Sequence, residues 1–72
     1  MKKNMGNTDK AIGHLESSLR LNQNFPATHY YLGNALAQKS RLDEAARQYE
    51  ATIRLDPRHE RARAALERLR RK

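Results

Sequence analysis

Three histidines and a run of arginines are the side chains in this sequence best suited to chemistry. His14 lies three and four residues before Ser17 and Ser18, the types of a base and a hydroxyl nucleophile. On a helix that spacing brings them to one face. Proximity alone is not a catalytic site, which also needs an orienting group and donors for developing charge. No glycine-rich loop of the phosphate-binding kind occurs. His29 and His59 are far apart in sequence, and there is no cysteine to join them in a metal site. No catalytic, cofactor-binding or metal-binding residues are therefore expected, and the chain does not read as an enzyme.

The arginines suit a different chemistry. From Arg58 to Lys72 seven Lys/Arg stand against Glu60 and Glu67, a net charge of +5, while the whole chain carries +7. Such an asymmetry favours an acidic partner or the phosphates of a nucleic acid. Arg58, Arg61, Arg63, Arg68, Arg70, Arg71 and Lys72 are the candidate phosphate contacts. That stretch has no interleaved aromatic residue on which single-stranded bases could stack. The structural alternative is a solvated outer helix face.

These groups need elements to hold them. A chain of 72 residues is at most one domain, near the lower limit for a self-sufficient core. Without cysteine no disulfide can help, and the composition suits a reducing compartment. No apolar run is long enough to cross a membrane, and the first seven residues have no apolar core of a secretory signal. A cytoplasmic protein without membrane insertion is the expectation.

Apolar spacing predicts four helices. The first runs from about Thr8 to Asn22, with Asn7 or Thr8 as N-cap and Ala11, Ile12, Leu15 and Leu19 as its stripe. The second opens after Pro26 and runs to about Lys39, the third spans Leu42 to Leu55, and Asp56-Pro57 stops it. The fourth runs from about Arg58 to Arg70. A register shift of 34 residues carries Asp9 onto Asp43, Ala11 onto Ala45, Glu16 onto Glu50, Arg20 onto Arg54 and Leu21 onto Leu55. Leu19 falls on Ile53, Asn22 on Asp56 and Leu32 on Leu66. A recurring supersecondary unit of this length is a helix pair. The expected class is all-α: antiparallel hairpins stacked as a short α-solenoid of about two units.

The stretch ATHYYLGNALAQKSRLDEAARQYEATIRLDP, with Leu32-Gly33, Leu36, Ala45, Tyr49 and Pro57, resembles one full tetratricopeptide repeat. Gly33 and Ala45 let the helices of the unit approach, Tyr49 fills between them, and Pro57 turns the chain onward. The resemblance divides the chain into a flexible N-terminus (1–7), a second helix of a partial repeat (8–25), a full hairpin (26–57) and a capping helix with a basic tail (58–72). His29 replaces the family's bulky aromatic, Ser40 its turn glycine, and Glu67 a glycine in the last helix.

Members of the family are interaction scaffolds, whose first helices line a concave groove for peptides or helices. That implies a groove of Tyr30, Asn34, Ala37, Gln38, Arg61 and Arg68, flanked by Ala27, Ala64 and Arg71, and a protein or peptide partner of acidic character. Some members clamp a terminal carboxylate with Lys, Asn and Arg. Only Asn34 matches that set, and Tyr30 stands where one of the lysines would. The second helix alone is not expected to cover all of Ile12, Leu15 and Leu19, so the expectation is either that two copies associate through them as a homodimer or that the chain is cut from a longer repeat protein. Nucleic-acid binding through the arginine-rich last helix is the alternative.

Overall fold

In the computed structural model, which describes residues 5–71, the chain is helical throughout apart from short turns. The helices are α1 (Met5–Leu21), α2 (Pro26–Gln38), α3 (Leu42–Leu55) and α4 (Glu60–Arg70). Each packs on the next in chain order, with the tightest association between α2 and α3. The stack measures 36 × 33 × 16 Å, a slab so thin that both broad faces meet solvent. The described residues thus form the expected all-α stack of hairpins.

One core runs through all four helices. Ile12, Leu32, Ala35, Leu36, Ala45, Tyr49, Ala62 and Leu66 are buried in it. Leu15, Leu19, Tyr30, Ala37, Ala46, Ile53, Ala65 and Leu69 pack half-buried against it. Each large apolar side chain buried this way contributes about 1.5–3 kcal/mol.

The α2–α3 contact depends on a missing side chain. A Cβ added at Gly33 would lie 2.7 Å from Cε1 and 2.9 Å from Cδ1 of Tyr49. The Tyr49 ring therefore lies directly on the α2 backbone. Nearby, the fully buried Thr52 donates its hydroxyl to the Gln48 carbonyl at 2.9 Å, with the Pro26 carbonyl at 3.3 Å. That ties the end of α3 to the start of α2.

Two turns repeat at the 34-residue interval. After α1, Asn22 Oδ1 accepts the Asn24 N–H at 2.9 Å; after α3, Asp56 Oδ1 accepts the Arg58 N–H at 3.2 Å. Both are Asx turns, in which a short polar side chain imitates a backbone turn. Between α2 and α3 the chain closes differently. Ser40 N–H reaches the Ala37 carbonyl at 3.0 Å and Arg41 N–H the Leu36 carbonyl at 2.9 Å. This is the Schellman pattern, which needs a left-handed residue, and Ser40 supplies it at φ 65°.

Two expectations change. Helix α1 begins at Met5, so Asn7 and Thr8 are helical residues and not caps; residues 1–4 of the expected flexible terminus lie outside the described residues. Helix α4 begins at Glu60, because Arg58 and His59 are used in the turn. Ile12 is only 6% exposed in the cluster with Leu32 and Leu36, while Leu15 and Leu19 are half-buried, so the stripe of α1 is covered only in part. The apolar side chains left in solvent are instead at the turns and outer faces: Leu21 at 89% exposure, Phe25, Tyr31, Leu42 and Leu55.

Candidate functional site

Helices α2 and α4 run side by side over the Tyr49 ring of α3, and a groove of about 300 Å3 lies between them. From α2 come Tyr30, Asn34 and Ala37; from α4 come Arg61, Ala64, Ala65, Arg68 and Leu69. The reason is helical arithmetic. Tyr30, Asn34 and Ala37 recur at i, i+4 and i+7 along α2, as Arg61, Ala65 and Arg68 do along α4. Small residues keep the middle of the groove open.

The floor is polar at one point. Tyr49 donates its hydroxyl to Asn34 Oδ1 at 2.6 Å. This bond takes one of the two lone pairs of the amide oxygen and does not involve the N–H2 group of Asn34. Burial raises the Tyr49 phenol above the ordinary tyrosine range, the Tyr30 phenol adds to the rise, and the Arg68 guanidinium opposes it. Tyr49 thus stays a neutral donor. At the mouth, Tyr30 meets three rings: Tyr49 at 5.9 Å, Tyr31 at 5.5 Å and His59 at 4.9 Å. These separations fall in the favourable range for ring pairs, and they hold Tyr30 at the junction of α2, α3 and the start of α4.

Charge in the groove is one-sided. Ion pairs among the described residues join Lys39 to Asp9 at 3.0 Å, Arg41 to Glu44 at 2.6 Å and Arg70 to Glu50 at 3.3 Å. Arg61 and Arg68 take part in none of them. Seven residues apart on one helix, they stand about 10.5 Å from each other along the axis. Arg63, a candidate partner of Glu60 or Glu67 from its spacing, forms no ion pair either.

Tyr30, Asn34, Ala37, Arg61 and Arg68 all line the groove. Gln38 does not. Its Oε1 accepts the Thr8 hydroxyl at 3.1 Å, which turns it toward α1. Arg71 borders a shallower depression with Ala64, Glu67 and Arg68. Two features escaped the sequence reading. The Tyr49 hydroxyl is part of the floor, although its size alone marked it only as a filler. His59 caps α4, its Nδ1 accepting the Ala62 N–H at 3.1 Å. Histidine is not among the usual capping types, so its spacing gave no signal.

His29 is half-buried, between Gln48 Oε1 at 2.8 Å and the Gln23 carbonyl at 2.9 Å. It joins α2 to α3 and to the preceding turn, which is a structural task. Among the described residues no cluster of three or more His, Cys, Asp or Glu is close enough to hold a metal ion. No helix among them is long and apolar enough to cross a membrane.

A family model described as "Tetratricopeptide repeat" matches residues 5–69, nearly the whole chain. The chain therefore belongs to the tetratricopeptide repeat family, whose members are in general protein–protein interaction modules built on a non-catalytic scaffold. No curated protein matches it.

Proposed function

We propose that this chain is a binding module that holds an acidic segment of a partner protein in the α2–α4 groove. The observation that supports it most is the pair of guanidinium groups, Arg61 and Arg68, which form no ion pair among the described residues and line one groove with the Tyr49–Asn34 hydrogen bond. Each guanidinium can grip a carboxylate with two parallel N–H bonds. Asn34 supplies N–H donors for a carbonyl, and Tyr30 an aromatic wall. Gln38, hydrogen-bonded toward α1, is left out of this reading. Glu67 supports α4 as the closing helix. It holds the register of Gly33, and no tyrosine could lie on α4 as Tyr49 lies on α2.

A fluorescent oligoglutamate peptide tests the proposal. Replacing Arg61 and Arg68 together with Ala is expected to weaken its binding at least tenfold, since charge-assisted bonds contribute about 1.5–3 kcal/mol each. Replacing Arg58 and Arg63 is expected to change it less than threefold. Equal losses in the two variants would mean that net charge, not the groove, captures the peptide.

The arginine-rich α4 also supports a second reading, contact with a phosphate backbone. Its mark would be duplex binding whose affinity falls steeply with salt. Pairing of two copies through α1 now rests on the half-buried Leu15 and Leu19, with Ile12 already covered. A concentration-independent monomer mass in sedimentation equilibrium would remove it.

A further inference from the structure

We propose that His59 makes the docking of α4, and with it the arginine side of the groove, sensitive to pH. The imidazole is the N-cap of α4, and its Nδ1 accepts the Ala62 N–H at 3.1 Å. Only the neutral ring, protonated at Nε2, has a lone pair at Nδ1 for this bond. Protonation sets an N–H against an N–H. It also adds a positive charge at a helix N-terminus, where the backbone dipole already presents positive charge. Acid therefore removes the cap and replaces it with a repulsion.

The groups around the ring do not cancel this effect. Arg58, Glu60 and Arg61 share an open surface with His59, two cations against one carboxylate. The turn after α3 offers the Asp56 carbonyl to the His59 N–H at 3.0 Å, and the Asp56 carboxylate is engaged by the Arg58 N–H. From α2 comes the Tyr30 ring at 4.9 Å. Helix α4 is itself easily lost. At 11 residues it is too short to persist alone, and it packs on α3 through small residues and two leucines.

His29 provides a built-in contrast. Both of its ring nitrogens lie against oxygens, Gln48 Oε1 and the Gln23 carbonyl. An imidazolium donates to both, and a neutral ring is satisfied when the Gln48 amide turns over. Protonation thus leaves the α2–α3 hairpin closed while it loosens α4. Protonation of both rings therefore opens the fold at the α4 end first.

For partner binding the proposal rests on the groove reading above; for α4 it stands by itself. Amide exchange in the full chain is measured over a pH series from mildly alkaline to mildly acidic, corrected for the intrinsic rate, alongside oligoglutamate affinity. Exchange at Ala62 and Arg63 is expected to rise about fivefold at the acid end, the factor matching loss of one N-cap, with Ala35 and Leu36 changing less. His59→Asn, which keeps a capping oxygen but does not titrate, is expected to abolish the response. His59→Ala is expected to leave α4 poorly protected at both ends of the series. An unchanged wild type, or an H59N variant that responds like it, overturns the proposal. If α4 responds but peptide affinity stays constant, the gating of the groove is overturned. If the peptide binds at neither end while α4 responds, the switch stands and the groove reading falls.

Discussion

Helices α2 and α4 occupy the same register 34 residues apart and are built for different ends. Helix α2 opens with Pro26, whose ring needs no N–H partner, and its N-cap Phe25 makes no side-chain bond. Helix α4 has Glu60 at that register and depends on the His59 side chain to cap it. Helix α2 carries Gly33 under the Tyr49 ring, whereas α4 carries Glu67. In the groove, Tyr30 and Asn34 of α2 correspond to Ala64 and Arg68 of α4. The inner helix is specified by packing and by the covalent constraint of proline, the outer one by charge and a titratable cap. One repeat pattern thus yields one wall fixed by close packing and another that is basic and capped by a side chain.

The contrast at Gly33 and Glu67 is the easiest to break. Gly33→Ala must push a buried ring off the α2 backbone. Overpacking of this kind costs about 1–3 kcal/mol, offset in part by the better helix propensity of Ala, about 1 kcal/mol. A net loss of up to about 2 kcal/mol is expected in urea unfolding. Glu67→Ala is exposed and is expected to stay within about 0.5 kcal/mol. Similar losses at both sites would mean that α2 and α4 are packed alike.

Tyr49 sharpens the comparison through pH. Its phenol is raised above the ordinary value of about 10. The native state thus favours the protonated form, whose stabilisation is fully present below that value and is lost as pH rises through the raised one. Alkaline unfolding is expected, and Tyr49→Phe should blunt it. At neutral pH the same variant loses the bond to Asn34, at a cost of about 0.5–1.5 kcal/mol.

The smallest change concerns the joint that neither helix shares. Ser40 adopts the left-handed conformation without being glycine. Ser40→Gly is expected to raise stability by about 1 kcal/mol, seen as a higher midpoint in thermal unfolding. A lower midpoint would mean that the serine side chain contributes more than its backbone strain costs.

The fold was legible where physics is periodic. Apolar spacing and the 34-residue shift located all four helices, and Pro26 and Pro57 marked their breaks. Gly33 and Tyr49 were readable as a pair, because a missing side chain and a large ring must complement each other. Through the family resemblance, five of the groove-lining residues were legible, Tyr30, Asn34, Ala37, Arg61 and Arg68. Gln38 was not, because its competing partner, Thr8, sits 30 residues away in a helix expected to begin where Thr8 stood as a cap. His59 was missed because histidine is not among the usual capping types.

The groove itself is tested most directly by titrating oligoglutamate peptide into isotope-labelled chain and following each residue by NMR. Changes concentrated at Tyr30, the Asn34 side-chain amide, Arg61 and Arg68 are the predicted result. Changes centred on Arg63 and Arg70, with Asn34 unmoved, would contradict the account and assign capture to the outer face of α4.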